Sequence, residues 1–231
     1  SKLSKSEDVI DFFGHYNIDN INQIIITSVV PNLSKQIAEL FKSKNLNIFE
    51  VSYENSGINL MVNNPSEVGN DRICNVAAAN KIYGGGAIII DFGTATTYDI
   101  TNNDGSFIGG AIAPGINLAA DSLFFNTSQL RRVELVAPNT AIGRNTITAL
   151  QSGLVLGYAD LVSGIVNRFK LELGQEAKVI GTGGLVNVIA SEAPIFDTIN
   201  QDLTLIGLNR IFHLNQQNRT SEGDHERTTN R

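Results

Sequence analysis

The chain has 231 residues, 42% of them hydrophobic, with a formal net charge of −6 and a sequence pI of about 5.1. That length buries a substantial core as one large domain or two small ones, and the acidic balance argues against a nucleic-acid partner and for a small molecule. Cys74 is the sole cysteine and excludes an intramolecular disulfide framework. With no apolar run of about 18 residues and no charged-then-apolar leader pattern in the first twenty, the expectation is a cytoplasmic protein without a membrane partner.

Taken in chain order, residues 21–30 form a strand closed by Pro31, and 32–44 follow as a helix with Leu33, Ile37, Leu40 and Phe41 at helical spacing. A short strand near 46–52 leads into a polar loop from Glu54 to Asn70. Residues 72–83 read as a helix, with Ile73, Val76, Ala77 and Ile82 on one side, stopped by Gly84-Gly85-Gly86. A strand over 87–92 turns back in a hairpin, passing Asp104-Gly105, whose return strand is Phe107–Ile112. After Pro114-Gly115, residues 116–125 are helical, and 144–173 make one long helix or two broken near Gly153 and Gly157. A buried strand over 177–181 precedes a helix from about 185 to 191, and a last helix starts at Leu203. From Asn215 the chain is polar and aperiodic, so 215–231 reads as a disordered tail.

The most informative stretch is Ile88-Ile89-Ile90-Asp91-Phe92-Gly93-Thr94-Ala95-Thr96-Thr97-Tyr98-Asp99. Its β-branched run suits a strand buried on both faces, and Gly93 lets backbone amides approach an anion with no Cβ in the way. Thr94, Thr96 and Thr97 can donate to phosphoryl oxygens, and Asp91 can hold a metal ion or its water. A core strand followed by a threonine-rich turn explains the same residues. A second strand ends in Thr182-Gly183-Gly184 at a helix start, an anion-binding geometry that a plain structural turn also explains. Two such sites suggest two related lobes closing on a nucleotide. No P-loop or dinucleotide fingerprint is present.

Cys74, beside Ile73 and Val76, reads as buried filler. His15, His213 and His225 are scattered without partners at metal-ligand spacing. Nothing pairs Asp121 with Glu134 as glycosidase carboxylates, Arg131-Arg132 reads as a surface doublet, and Asn218-Arg219-Thr220 is a sequon without meaning in the cytoplasm.

An ordered series of motifs resembles type III pantothenate kinase: Ser-Val-Val-Pro at 28–31, Asn-Pro-Ser-Glu-Val-Gly-Asn-Asp-Arg at 64–72, Asp-Phe-Gly-Thr-Ala-Thr-Thr-Tyr-Asp at 91–99 and Gly-Gly-Ala-Ile-Ala-Pro-Gly at 109–115. It continues through Ile-Gly-Arg-Asn-Thr at 142–146, Gln-Ser-Gly at 151–153, Thr-Gly-Gly-Leu at 182–185 and Asp-Leu-Thr-Leu-Ile-Gly-Leu at 202–208, covering roughly residues 20–212. The resemblance implies an α/β, duplicated actin-like (ribonuclease H-like) two-lobe kinase fold. Its lobes would be 1–86 and 87–214, the first without its opening strands here. The implied reaction moves the ATP γ-phosphoryl group to the primary hydroxyl of pantothenate, the first step of coenzyme A synthesis. Mg2+ and a monovalent cation, K+ or NH4+, would assist in a homodimer.

By the same resemblance Asp71 is the general base, and Arg72 lies near the pantothenate carboxylate, which its planar fork suits. Gly69 and Val62 belong to the substrate loop, and Thr146 reaches pantothenate across the dimer interface. Asp91 belongs near the monovalent cation; Gly93, Thr94, Ala95 and Thr96 line the γ-phosphate path; Thr182, Gly183 and Gly184 lie beside the adenosine. Without the resemblance, Asp71-Arg72 would read as a solvated helix start with a capping aspartate. Val62 stands where an aromatic residue is usual and Asn70 where alanine is, both in the substrate loop. The family pattern opens with a D-x-G-N-T phosphate loop that these residues do not contain, and the expectation is that it lies outside this sequence. The alternative is a non-catalytic relative that binds nucleotide or pantothenate and acts as a transcriptional accessory factor. An unrelated sugar kinase or ATPase of the same fold is the third reading.

Overall fold

A computed structural model describes residues 21–28, 31–42, 46–126, 130–174 and 176–228. The chain forms two compact units, one comprising Ser1–Ile58, Asn63–Ala78 and Thr204–Arg231, the other Asn59–Val62 and Ala79–Leu203. The units divide at Ala78/Ala79, whereas the sequence reads as lobes of 1–86 and 87–214, and the segment from Thr204 belongs to the first unit.

The first unit is built on a β–α–β step. Strand β1 (Gln23–Ile26) pairs in parallel with β2 (Asn47–Glu50), Ile24 opposite Ile48 and Ile25 opposite Phe49, around helix α1 (Pro31–Lys42). Pro31 opens α1, where its fixed φ costs no helical hydrogen bond. Helix α2 (Asn70–Tyr83) begins in this unit and buries Ile73, Cys74, Val76, Ala77 and Ala78. Helix α7 (Leu203–Thr228) packs on it. A Cβ at Gly207 would overlap the Cys74 carbonyl, so only glycine permits this approach. Thr204 Oγ1 donates to Asn75 Oδ1 at 2.7 Å, and Phe212 meets Phe49 edge to face at 5.4 Å. The α7 helix runs to Thr228 and so takes in most of the segment from Asn215 that the sequence reads as a tail. An aperiodic polar composition argues against core contacts, not against a backbone ladder extending an existing helix.

The second unit is a five-stranded sheet ordered β5-β4-β3-β6-β7. Strands β3 (Ala87–Phe92), β4 (Ala95–Thr101) and β5 (Phe107–Pro114) form an antiparallel meander; β6 (Lys178–Thr182) and β7 (Thr198–Ile199) run parallel to β3. The expected hairpin is corrected to a three-stranded meander: the partner of β3 in the turn is β4, and the expected return strand Phe107–Ile112 pairs with β4 instead, while β7, with two residues, is too short to carry a period. Helix α3 (Ile116–Asn126) follows the meander; α4 (Thr146–Gln151), a π turn (Ser152–Leu156) and α5 (Gly157–Leu173) run on as one 28-residue helix, and α6 (Val186–Ala190) follows β6. That joined helix is long and apolar enough by length and mean composition to cross a membrane, though Gln151, Asp160, Arg168 and Lys170 interrupt it and it holds no unbroken apolar run of about 18 residues. It buries Leu154, Val155, Tyr158, Ala159, Val162 and Val166 as a core helix does. One sheet face, carrying Ile88, Ile90, Phe92, Tyr98, Ile100 and Val179, forms the core with α5 and α6. The strand order, an antiparallel meander followed by two parallel strands, makes this unit α/β with a mixed sheet.

Candidate functional site

The second unit brings together the two glycine-centred segments read from the sequence. Between β3 and β4 the chain turns at Gly93-Thr94, where the Gly93 N–H donates to the Ala95 carbonyl at 3.1 Å. The Gly115 N–H donates to the Thr94 carbonyl at 3.1 Å, and a Cβ on Gly115 would overlap the Thr94 and Gly93 carbonyl oxygens. Gly115 therefore serves as the floor of the turn, the reason for the glycine in Ala-Ile-Ala-Pro-Gly. Gly93 and Thr94 are exposed, and a Cβ on Gly93 would come no nearer than 3.5 Å to any other group. The glycine there keeps the outer side of the turn open rather than relieving a clash within it.

Strand register sets the polar face. Asp91 lies opposite Thr97 on β4 and opposite Thr182 on β6, so the three share one level and one face at the C-terminal end of β3. The hydroxyls of Thr97 and Thr182 are buried without a hydrogen-bond partner. Gly183 follows with φ +91°, and a Cβ there would stand 2.5 Å from Asp91 Oδ1 and 2.6 Å from the Phe92 nitrogen. A left-handed backbone closing on a carboxylate requires glycine on both counts. One carboxylate and two unsatisfied hydroxyls form an all-oxygen donor set, which fits a hard cation or its water and not a soft metal.

Alternation turns the neighbouring threonine inward. Thr96 is fully buried, and its Oγ1 lies 2.5 Å from the Tyr158 hydroxyl, which also donates to the Pro114 carbonyl at 2.8 Å. Thr94 is thus the exposed hydroxyl of the loop, while Thr96 is spent behind it. Burial raises the Tyr158 phenol above its ordinary pKa, with the Thr96 bond pulling the other way, and burial likewise pushes Tyr98 up, helped by Tyr158. Both phenols therefore stay protonated near neutrality. Tyr158 was not picked out from the sequence; a tyrosine at a buried helical position with a hydroxyl to satisfy is the signal that was available.

The other expected residues occupy their own elements. Gly69, Asp71 and Arg72 belong to the first unit, at the start of α2. The Ile73 N–H donates to the Gly69 carbonyl at 3.1 Å, and the Arg72 N–H donates to Asp71 Oδ1 at 2.8 Å. Asp71 and Arg72 are half-buried, so neither is the fully solvated residue of the bland reading. A carboxylate in a helix's first turn also sits at the positive end of the helix dipole. Val62 is half-buried, just past a bridge in which Phe107 pairs with Leu60. Thr146 is exposed at the first turn of α4, behind an Asn145 cap whose side chain accepts from the Thr148 N–H at 2.9 Å. Gly184 is exposed with open space around it.

Residues 5–168 match the family model of type III pantothenate kinase. A type III pantothenate kinase of Dehalococcoides mccartyi is 45% identical over 198 residues, 85% of this chain and 75% of that protein. One from Thermomicrobium roseum is 45% identical over 199 residues, covering 85% and 77%. Among solved structures, a Baf family transcriptional activator from Campylobacter jejuni superposes with a TM-score of 0.62 over 90% of this chain and 89% of that one, at 22% identity. That likeness is one of fold.

Proposed function

The chain belongs to the type III pantothenate kinase family and phosphorylates pantothenate with ATP and a divalent cation at the head of coenzyme A synthesis, and we propose that the Gly93–Ala95 turn and the Asp91 face receive the phosphates while Asp71 serves as general base. The observation that carries this reading is the level shared by Asp91, Thr97 and Thr182 beneath an exposed glycine turn. Phosphoryl transfer asks little covalent chemistry of a protein; it needs an in-line alcohol, a proton acceptor and positive charge over the transferring group. In this reading Asp71, with one oxygen fixed by the Arg72 amide, orients the pantothenate hydroxyl and takes its proton. The Arg72 guanidinium pairs with the substrate carboxylate, with Gly69 and Val62 in the same substrate loop.

Exposed amides and the Thr94 hydroxyl of the turn hold the γ-phosphate, with Ala95 and the inward Thr96 shaping its path. Thr182, Gly183 and Gly184 seat the adenosine side of ATP. Asp91, Thr97 and Thr182 have the donor set for a monovalent cation, K+ or NH4+, whose charge would offset that of the phosphates when bound. The enzyme is proposed to work in the cytoplasm as a homodimer in which Thr146 reaches the partner's pantothenate. Exposed Ile112, Leu118 and Phe125, the last 69% accessible, support an apolar face on the second unit that a copy of the chain would cover.

The kinase relatives do not favour a non-catalytic accessory role. The experiment is ATP-dependent phosphorylation of pantothenate read by product mass, with magnesium and with potassium set against sodium. Potassium-stimulated product is expected. Product equal in both salts removes the monovalent cation from the reading, and no product removes the assignment of these residues as a working site.

A further inference from the structure

We propose that Tyr158 is a positioning residue for the phosphate turn, holding it through two hydrogen bonds at one point behind it; this rests on the reading of Gly93–Ala95 as that turn. In β4 and β5, Thr96 pairs with Ala113 and Ala95 with Pro114, so these two rungs are the last before the turn and its floor. The Tyr158 hydroxyl joins both strands at that level, 2.5 Å from Thr96 Oγ1 and 2.8 Å from the Pro114 carbonyl oxygen. One phenolic proton cannot serve two acceptors. Given to the Pro114 carbonyl, which has no proton of its own, it leaves the Thr96 hydroxyl to donate to Tyr158, and all three oxygens are satisfied. Pro114 in turn fixes Gly115, whose N–H holds the Thr94 carbonyl at 3.1 Å. The phenol is therefore connected to the turn twice: through Thr96 into the strand leaving it, and through Pro114-Gly115 into its floor.

The helix carrying Tyr158 has an uncommon feature where this geometry needs one. Residues Ser152–Leu156 form a π turn, and Tyr158 follows it directly after Gly157. An i→i+5 turn inserts one residue into the helical register, rotating everything beyond it by about 100° relative to an unbroken helix, and such turns concentrate near functional sites. Tyr158 and the buried Ala159, Val162 and Val166 all lie beyond it, so the π turn sets their common direction relative to the Thr146–Gln151 segment.

Tyr158→Phe removes only the hydroxyl and keeps the ring that packs in the core. A group that merely filled the core would lower the melting temperature and leave the kinetics of the folded enzyme alone. A positioning residue changes them selectively, because a turn displaced by a fraction of an ångström loses transition-state contacts. The expected result for the full chain is a fall in kcat/KM for ATP of about tenfold or more, shared between kcat and KM for ATP, with KM for pantothenate within about twofold of wild type. Thr96→Val breaks the same bond from the other side with little change of shape. In the double variant the loss should not exceed the larger single loss by more than about twofold, since both remove one device.

Unchanged kcat and KM for ATP in folded Tyr158→Phe, or losses that multiply in the double variant, would overturn the proposal. Where Tyr158→Phe does not fold, the same two constants measured on Thr96→Val decide it. A separate Thr94→Val variant tells this failure from that of the underlying reading. If it leaves KM for ATP at the wild-type value, Gly93–Ala95 is not the phosphate turn and the proposal falls with it; if it raises KM for ATP while Tyr158→Phe does not, only the positioning role falls.

Discussion

Three consecutive isoleucines occur twice, at 24–26 in the first unit and 88–90 in the second, and the two copies have different fates. Ile88, Ile89 and Ile90 are 0% exposed, between β4 on one side and β6 on the other; Ile24, Ile25 and Ile26 are all half-buried, and among the described residues β1 pairs with β2 alone. Identical side chains with identical β propensity thus contribute differently according to how many neighbours flank the strand. The comparison is broken most directly by removing the same atoms from each. Ile89→Ala should cost about 4 kcal/mol and Ile25→Ala about 1–2 kcal/mol, because a fully enclosed site leaves a cavity while a half-open one gives up transfer energy alone. Urea unfolding of both variants measures the difference; equal losses would mean that burial does not separate the two strands.

The units also divide the chemistry as this reading assigns it, the proton acceptor to the first and the phosphate face to the second. Asp71→Asn should therefore lower kcat by about a hundredfold or more while leaving KM for pantothenate and the unfolding midpoint close to wild type. Steady-state rates with saturating ATP check it, and near-normal turnover would take the general-base role from Asp71.

How far the sequence could be read follows the same division. The β3 strand and the turn at Gly93 were legible because a β-branched run ending in Asp-x-Gly is a strong local pattern, and the structure keeps both. Register was not legible: that Asp91 shares its level with Thr97 and Thr182 depends on pairing across 91 residues of chain from Asp91 to Thr182, which no local spacing encodes. Thr96 was read as a phosphate donor because threonines in a turn look alike in sequence, and only the alternation of β4 turns it onto Tyr158. For a related reason the division into units is not legible. The chain returns through α7 to the first unit, and the token of that return, Gly207 against the Cys74 carbonyl, is a contact between residues far apart in sequence. The roles proposed for Asp71 and Arg72 rest on motif resemblance alone, since their local pattern is that of any helix start.

Two glycines in the second unit's site separate strain from access. Gly183 has φ +91° and would place a Cβ 2.5 Å from Asp91 Oδ1, whereas a Cβ at Gly93 meets nothing closer than 3.5 Å. Gly183→Ala should lower stability by about 1–3 kcal/mol. Gly93→Ala should change it by less than about 1 kcal/mol and act instead on KM for ATP. Thermal unfolding alongside ATP titration separates the two, and a larger stability loss at Gly93 than at Gly183 would reverse the assignment.

The smallest effect expected is also the one that observes the first unit alone, since the chain's only cysteine lies there. Burial pushes the Cys74 thiol up to about 12, and the negative charge of Asp71 one turn away adds to it. A raised pKa means that the native state holds its proton more tightly than the unfolded chain does. Its contribution to stability is whole below about pH 9 and fades as pH climbs toward 12. At pH 8 the native thiolate population is lower by about a thousandfold than that of an ordinary cysteine, three pKa units being three decades, so alkylation should proceed only through opening of the first unit. Asp71→Asn removes one cause of the shift and should lower the Cys74 pKa without exposing the thiol, which pH-dependent labelling of the folded variant would reveal as a modest rise in rate. Rapid labelling of native wild type at pH 8, by contrast, would show that α2 and α7 do not enclose Cys74 for most of the time.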